Sequence, residues 1–65
     1  MTTAANLLRE MQSYVSVPEA EIQKAEKSGI NSSNNMDFAL IVEDWENGRY
    51  DEDPDYVVNE IIYLF

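Results

Sequence analysis

Cysteine and histidine are both absent from this 65-residue chain, glycine and proline occur twice each, and only four residues are basic. Without cysteine there is no disulfide framework, and without histidine as well there is no zinc site of the usual Cys/His kind. The same absences remove the side chain that titrates nearest neutrality, the commonest catalytic base and the most nucleophilic group. Gly29 and Gly48 are too few to build a glycine-rich phosphate loop. No apolar stretch approaches the roughly 20 residues that a membrane-spanning helix needs. Nor do the opening residues run from a charged stretch into an apolar one, as a targeting segment does. The expectation is therefore a cytoplasmic protein that binds a macromolecule and does not act on the membrane, with no enzymatic activity and no cofactor or metal.

Length sets the next bound. A chain of this size buries only roughly 60% of its unfolded surface, which leaves room for one domain over residues 1–65 and no second core. Domains this small, lacking disulfides or a structural metal, recover stability through regular packing or by association.

What is abundant is acid. Thirteen acids against four bases give a formal charge of −9, and the distribution is uneven. Residues 43–65 hold Glu43, Asp44, Glu46, Asp51, Glu52, Asp53, Asp55 and Glu60 against Arg49 alone, a local charge of −7. A one-sided field of this kind repels nucleic acid and anionic lipid and attracts basic surfaces.

Hydrophobic spacing predicts a mostly α-helical single-domain bundle of three to four short helices. Thr3 caps a first helix with its apolar stripe at Ala4, Leu7, Leu8, Met11, Tyr14 and Val15. Ser16-Val17-Pro18-Glu19 reads as a capping box that starts a second helix after the first stops near Val15. That second helix has a thin stripe of Ala20, Ile22 and Ala25, suits the surface, and ends at Gly29 with Ile30 as its apolar contact. Asn31 to Asn35 is a connector of turn formers, with Asn34 the candidate cap of a third helix whose stripe is Phe38, Ile41, Val42 and Trp45. Leu40 falls on the opposite side of that helix. Phe38 and Trp45 are expected in the core. The alternative is an α+β fold in which residues 37–52 form a hairpin around Asn47-Gly48, a strong short hairpin signal. Asp53 as cap and Pro54 at the first position then open a last helix, although the Val, Ile, Tyr and Phe content of residues 56–65 also suits a strand.

Two constellations invite chemistry. Asp51-Glu52-Asp53-Pro54-Asp55 carries the D-x-D-x-D spacing that begins a calcium loop. Counting from Asp51, however, Tyr56 stands where that loop needs glycine and Ile62 where it needs a closing glutamate. A solvated acidic turn that favours the following helix N-terminus accounts for it. Paired carboxylates such as Glu43 with Asp44, or Asp51 with Asp53, could act as acid and base only if burial separated their pKa values, and their charged, turn-forming neighbours argue against burial.

The interleaving of aromatics with these acids points to binding. Aromatic residues dominate the energetic centres of interfaces. On a helix, acids three or four apart lie about 5 to 6 Å from each other, comparable to charge spacing along a nucleic-acid strand. Glu43, Asp44, Glu46, Tyr50, Asp51, Glu52, Asp53 and Asp55 are accordingly the candidate partner-binding residues. In size, charge and aromatic interleaving the chain resembles the small acidic DNA-mimic proteins by which phages block restriction, CRISPR or other nucleic-acid enzymes. That resemblance implies an inhibitor or decoy in the host cytoplasm, whose partner is a basic, nucleic-acid-binding protein or enzyme and which binds no nucleic acid itself. The alternative is a small helical adaptor or subunit. Val57, Val58, Ile61, Ile62, Tyr63, Leu64 and Phe65 cover more than one helix face, so one side is expected to stay exposed unless another chain covers it. Ile62, Tyr63, Leu64 and Phe65 are the candidates for such an apolar interface or for a homodimer.

Overall fold

The computed structural model describes residues 1–48 and 53–65, and these form four α-helices with no strand among them. They are α1 (Ala4–Met11), α2 (Glu19–Ser28), α3 (Met36–Glu46) and α4 (Pro54–Ile62). The molecule measures 29 × 24 × 17 Å. Helix α1 packs against α2 and α4, and α3 packs against α4.

Each helix begins where a side chain satisfies the free amides of the first turn, except one. Thr3 accepts from the Asn6 amide at 3.1 Å, Asn35 from the Phe38 amide at 3.0 Å, and Asp53 from the Tyr56 amide at 3.2 Å, with Pro54 at the first helical position. The exception is α2, which has no side-chain cap. The expected capping box does not form, because Pro18 stands at the cap and the helix starts two residues later than that motif requires. The Glu19 carboxylate is instead taken by Gln12 at 3.2 Å and Arg9 at 3.3 Å. Glu19 and Glu21 in the first turn and Lys27 in the last still complement the helix dipole.

The first helix ends at Met11, earlier than its apolar pattern suggests, although tightened turns carry the hydrogen bonding on to Val15. The third helix is capped by Asn35 and not by Asn34. Asn34 is engaged in the connector, where its Oδ1 accepts from the Asn31 amide and its Nδ2 donates to the Gly29 carbonyl. The first arm of the alternative hairpin, from residue 37 to 46, is helical, and Asn47-Gly48 ends α3 instead of turning a strand pair. Gly29 closes α2 at φ 67°, the left-handed conformation that a residue with a Cβ adopts only at a cost.

The core gathers one stripe from every helix. Its largest fully buried members are Leu8 and Met11 of α1, Ile22 of α2, Phe38 of α3, and Val57 and Ile61 of α4. Val17, in the α1–α2 connection, joins them, and the Val17 carbonyl accepts from Gln12 Nε2 at 3.2 Å. No polar or charged side chain is buried among the described residues. Two members of the expected stripes sit outside this core. Ala20 is exposed, and Tyr14 is 62% exposed because the chain has left the helix before reaching it. Trp45 is half-buried, packed on the core edge against Tyr14.

A short clasp fixes the N-terminus to the connector. Thr3 and Asn31 form an isolated antiparallel bridge, in which the Ala4 amide donates to the Ile30 carbonyl at 2.9 Å and the Ser32 amide to the Thr2 carbonyl at 2.8 Å. The Thr2 amide adds a bond to Ser32 Oγ at 3.1 Å.

Candidate functional site

Charge divides between the two halves of the bundle. Every base among the described residues, Arg9, Lys24 and Lys27, lies on α1 or α2. Arg9 spans the two helices to reach Glu19 at 3.3 Å and Glu26 at 3.4 Å, and Lys24 pairs with Glu21 at 3.5 Å. Such exposed pairs add little stability, but they neutralise this half locally. Helices α3 and α4 carry Asp37, Glu43, Asp44, Glu46, Asp55 and Glu60 and no base at all.

Part of that acid borders a groove between α3 and α4. Asp37, Leu40 and Asp44 line it from α3, and Glu60, Tyr63 and Leu64 from α4 and the turn after it. Leu40 is 56% exposed and Tyr63 is 89% exposed, an unusual placement for large apolar groups in so small a domain. The groove thus sets exposed apolar groups beside carboxylates from both helices. Charge of one sign along such a concave surface raises the local concentration of the opposite sign.

A second cleft, of about 490 Å³, opens on another side of the molecule. Leu7, Glu10 and Tyr14 contribute to it from α1 and the turn that follows, Val42, Trp45 and Glu46 from α3, with Thr2 and Pro54 at its ends. Tyr14 and Trp45 meet edge to face, with ring centroids 5.5 Å apart and planes at 78°.

The described candidate partner-binding residues do not line one common groove. Asp44 lies on the groove between α3 and α4, and Glu46 on the second cleft. Glu43 is exposed and lines neither. Asp53 is occupied as the α4 cap, and Asp55 is exposed in that helix's first turn. Tyr50, Asp51 and Glu52 lie outside the described residues. Among those described, no cluster of three acids could hold a metal ion. Of the apolar candidates, Ile62, Leu64 and Phe65 are half-buried against the chain's own core, and Tyr63 alone stands clear.

Asp37, Leu40 and Glu60 on the groove, and Glu10 and Tyr14 on the cleft, are the members that sequence reasoning did not single out. The available signal was spacing. Asp37, Leu40 and Asp44 stand three and seven apart on α3, and Glu60 and Tyr63 stand three apart at the end of α4 and its C-cap, so each set shares a helix face. Compared with family models, with curated proteins and with solved structures, the chain matches none.

Proposed function

We propose that this chain is a non-enzymatic binding protein whose α3–α4 half occupies the basic, nucleic-acid-binding surface of a partner protein, as an acidic decoy. The observation that carries the proposal is the segregation of charge. The half built from α1 and α2 holds all three described bases and pairs Arg9 and Lys24 with its own acids, whereas the sequences of α3 and α4 contain six acids and no base. Lysine and arginine side chains arranged for phosphates meet carboxylates at helical spacing there, and Leu40 and Tyr63 supply apolar contact between them. Complementary charge of this sort sets association rate and specificity more than raw affinity.

The test uses the purified protein immobilised and challenged with lysate of its native cells, at low and high salt. The decoy proposal expects a retained nucleic-acid-binding protein that duplex DNA displaces and that salt weakens, since exposed charges are screened over about 8 Å at physiological ionic strength. Substituting Asp37→Asn, Asp44→Asn and Glu60→Gln together should slow association, while Glu19→Gln, Glu21→Gln and Glu26→Gln together should not. If the retained protein binds DNA and this chain at once, or if both triple variants bind alike, the decoy proposal falls. Binding that resists salt and disappears with Leu40→Ser and Tyr63→Ser would instead support the adaptor alternative, for which the exposure of Tyr63 speaks.

A further inference from the structure

We infer that the cleft between α1 and α3 is a receptor for a guanidinium group, the side chain of an arginine carried on a polypeptide. Two aromatic rings set at 78° to each other form a corner, and Glu10 and Glu46 line the same cleft. Neither carboxylate has an ion-pair partner among the described residues, and none of the described bases lines the cleft. An aromatic face attracts a cation through its quadrupole, and carboxylates beside it supply the counter-charge.

The chemistry distinguishes among cations. A guanidinium is planar and weakly hydrated, stacks on aromatic faces and offers paired N–H donors to carboxylates, whereas an ammonium is a compact, strongly hydrated point charge. A corner of flat rings with carboxylates therefore fits arginine better than lysine. Charge alone does not choose the carrier, because the α-ammonium of free arginine offsets its α-carboxylate and leaves the same net charge as a blocked arginine; the polypeptide source follows from the basic partner that a chain of net charge −9 attracts. The inference rests on the decoy proposal only for its source, a basic partner protein, because the cleft and the α3–α4 groove share no residue.

Trp45 is the chain's single tryptophan, so its fluorescence reports on the cleft without interference. The probes are N-acetyl-argininamide, N-acetyl-lysinamide, free arginine and the blocked tripeptide acetyl-Gly-Arg-Gly-amide, each titrated at matched ionic strength. The expected result is a saturable change with the two blocked arginine probes, binding of free arginine no tighter than theirs, and weaker binding of the lysine probe. Glu10→Gln together with Glu46→Gln should weaken the arginine probes by about tenfold, the scale of one charge-assisted hydrogen bond. Tyr14→Leu should weaken them similarly, and because Tyr14 is largely exposed its loss leaves the helices intact by circular dichroism. The groove variant Asp37→Asn with Glu60→Gln should bind the probes as the parent does. Undiminished partner capture by that variant would sink the decoy proposal alone, and arginine probes that fail to bind the parent protein would sink this inference alone. A response that is linear, equal for lysine and arginine, or unchanged in both cleft variants would overturn the inference. Tighter binding of free arginine than of the blocked forms would overturn the polypeptide source and assign the cleft to the free amino acid.

Discussion

Replacing Gly29 by L-alanine and, in a synthetic chain, by D-alanine isolates the energy of one backbone conformation. At Gly29 the chain has φ 67°, and a Cβ added there meets nothing within 4 Å. Packing therefore contributes nothing to either substitution. An L residue in the left-handed region costs about 1–2 kcal/mol, whereas a D residue is at home there. Both substitutions restrict the unfolded chain by the same amount, worth about 0.4–1 kcal/mol in favour of folding. L-alanine should thus destabilise by up to about 1.6 kcal/mol net, D-alanine should stabilise by about 0.4–1 kcal/mol, and the difference between them, about 1–2 kcal/mol, is the strain alone. In a domain of this size about 1 kcal/mol moves the melting temperature by roughly 4–8 °C, so the two variants should straddle the parent clearly in a thermal melt followed at 222 nm. If both melt together, or if D-alanine melts below the parent, then α2 does not end in a left-handed cap in solution.

Two further substitutions probe core and capping. Phe38→Ala removes the largest fully buried side chain and should cost about 3–5 kcal/mol, a large share of what so small a domain holds; urea titration at low temperature should find the variant mostly unfolded. Asn35→Ala leaves the Phe38 amide without its partner and should cost about 1 kcal/mol by the same assay, while Asn35→Asp should restore most of it.

The helices were legible in the sequence because their ends are written in local chemistry. Thr3, Gly29, Asn47-Gly48 and Asp53-Pro54 each act on neighbours within a few positions, and each does in the structure what its residue type prefers. Where two local preferences competed, sequence was a poorer guide. Ser16 offers a cap for α2, yet Pro18 stands at the cap position, and the Glu19 carboxylate meets Arg9 of α1 and Gln12 just after it. The groove and the cleft were not legible for a related reason. Asp37 meets Glu60 on one groove, and Glu10 meets Glu46 on one cleft, only because α3 lies against α4 and α1 passes beside α3. No periodicity within a helix records its neighbour. The apolar excess of the last element was visible as composition, but its fate was not. After Ile62 the chain turns, and Leu64 and Phe65 come to rest against the core.

The clasp between Thr2–Ala4 and Ile30–Ser32 bears on how the molecule is made. Its partners are 26 to 30 positions apart in the chain, yet it anchors the residues that lead into the first helix. As the chain leaves the ribosome, α1 therefore emerges without the hydrogen bonds that later secure its leading end, and it waits until the α2–α3 connector is also out. Synthesis at about 5–20 residues per second makes that interval a second or more, long against the time a helix takes to form and fray. For that interval Leu7, Leu8 and Met11 have no core to enter, and it is α2, arriving with Ile22 and Ala25, that first gives them cover.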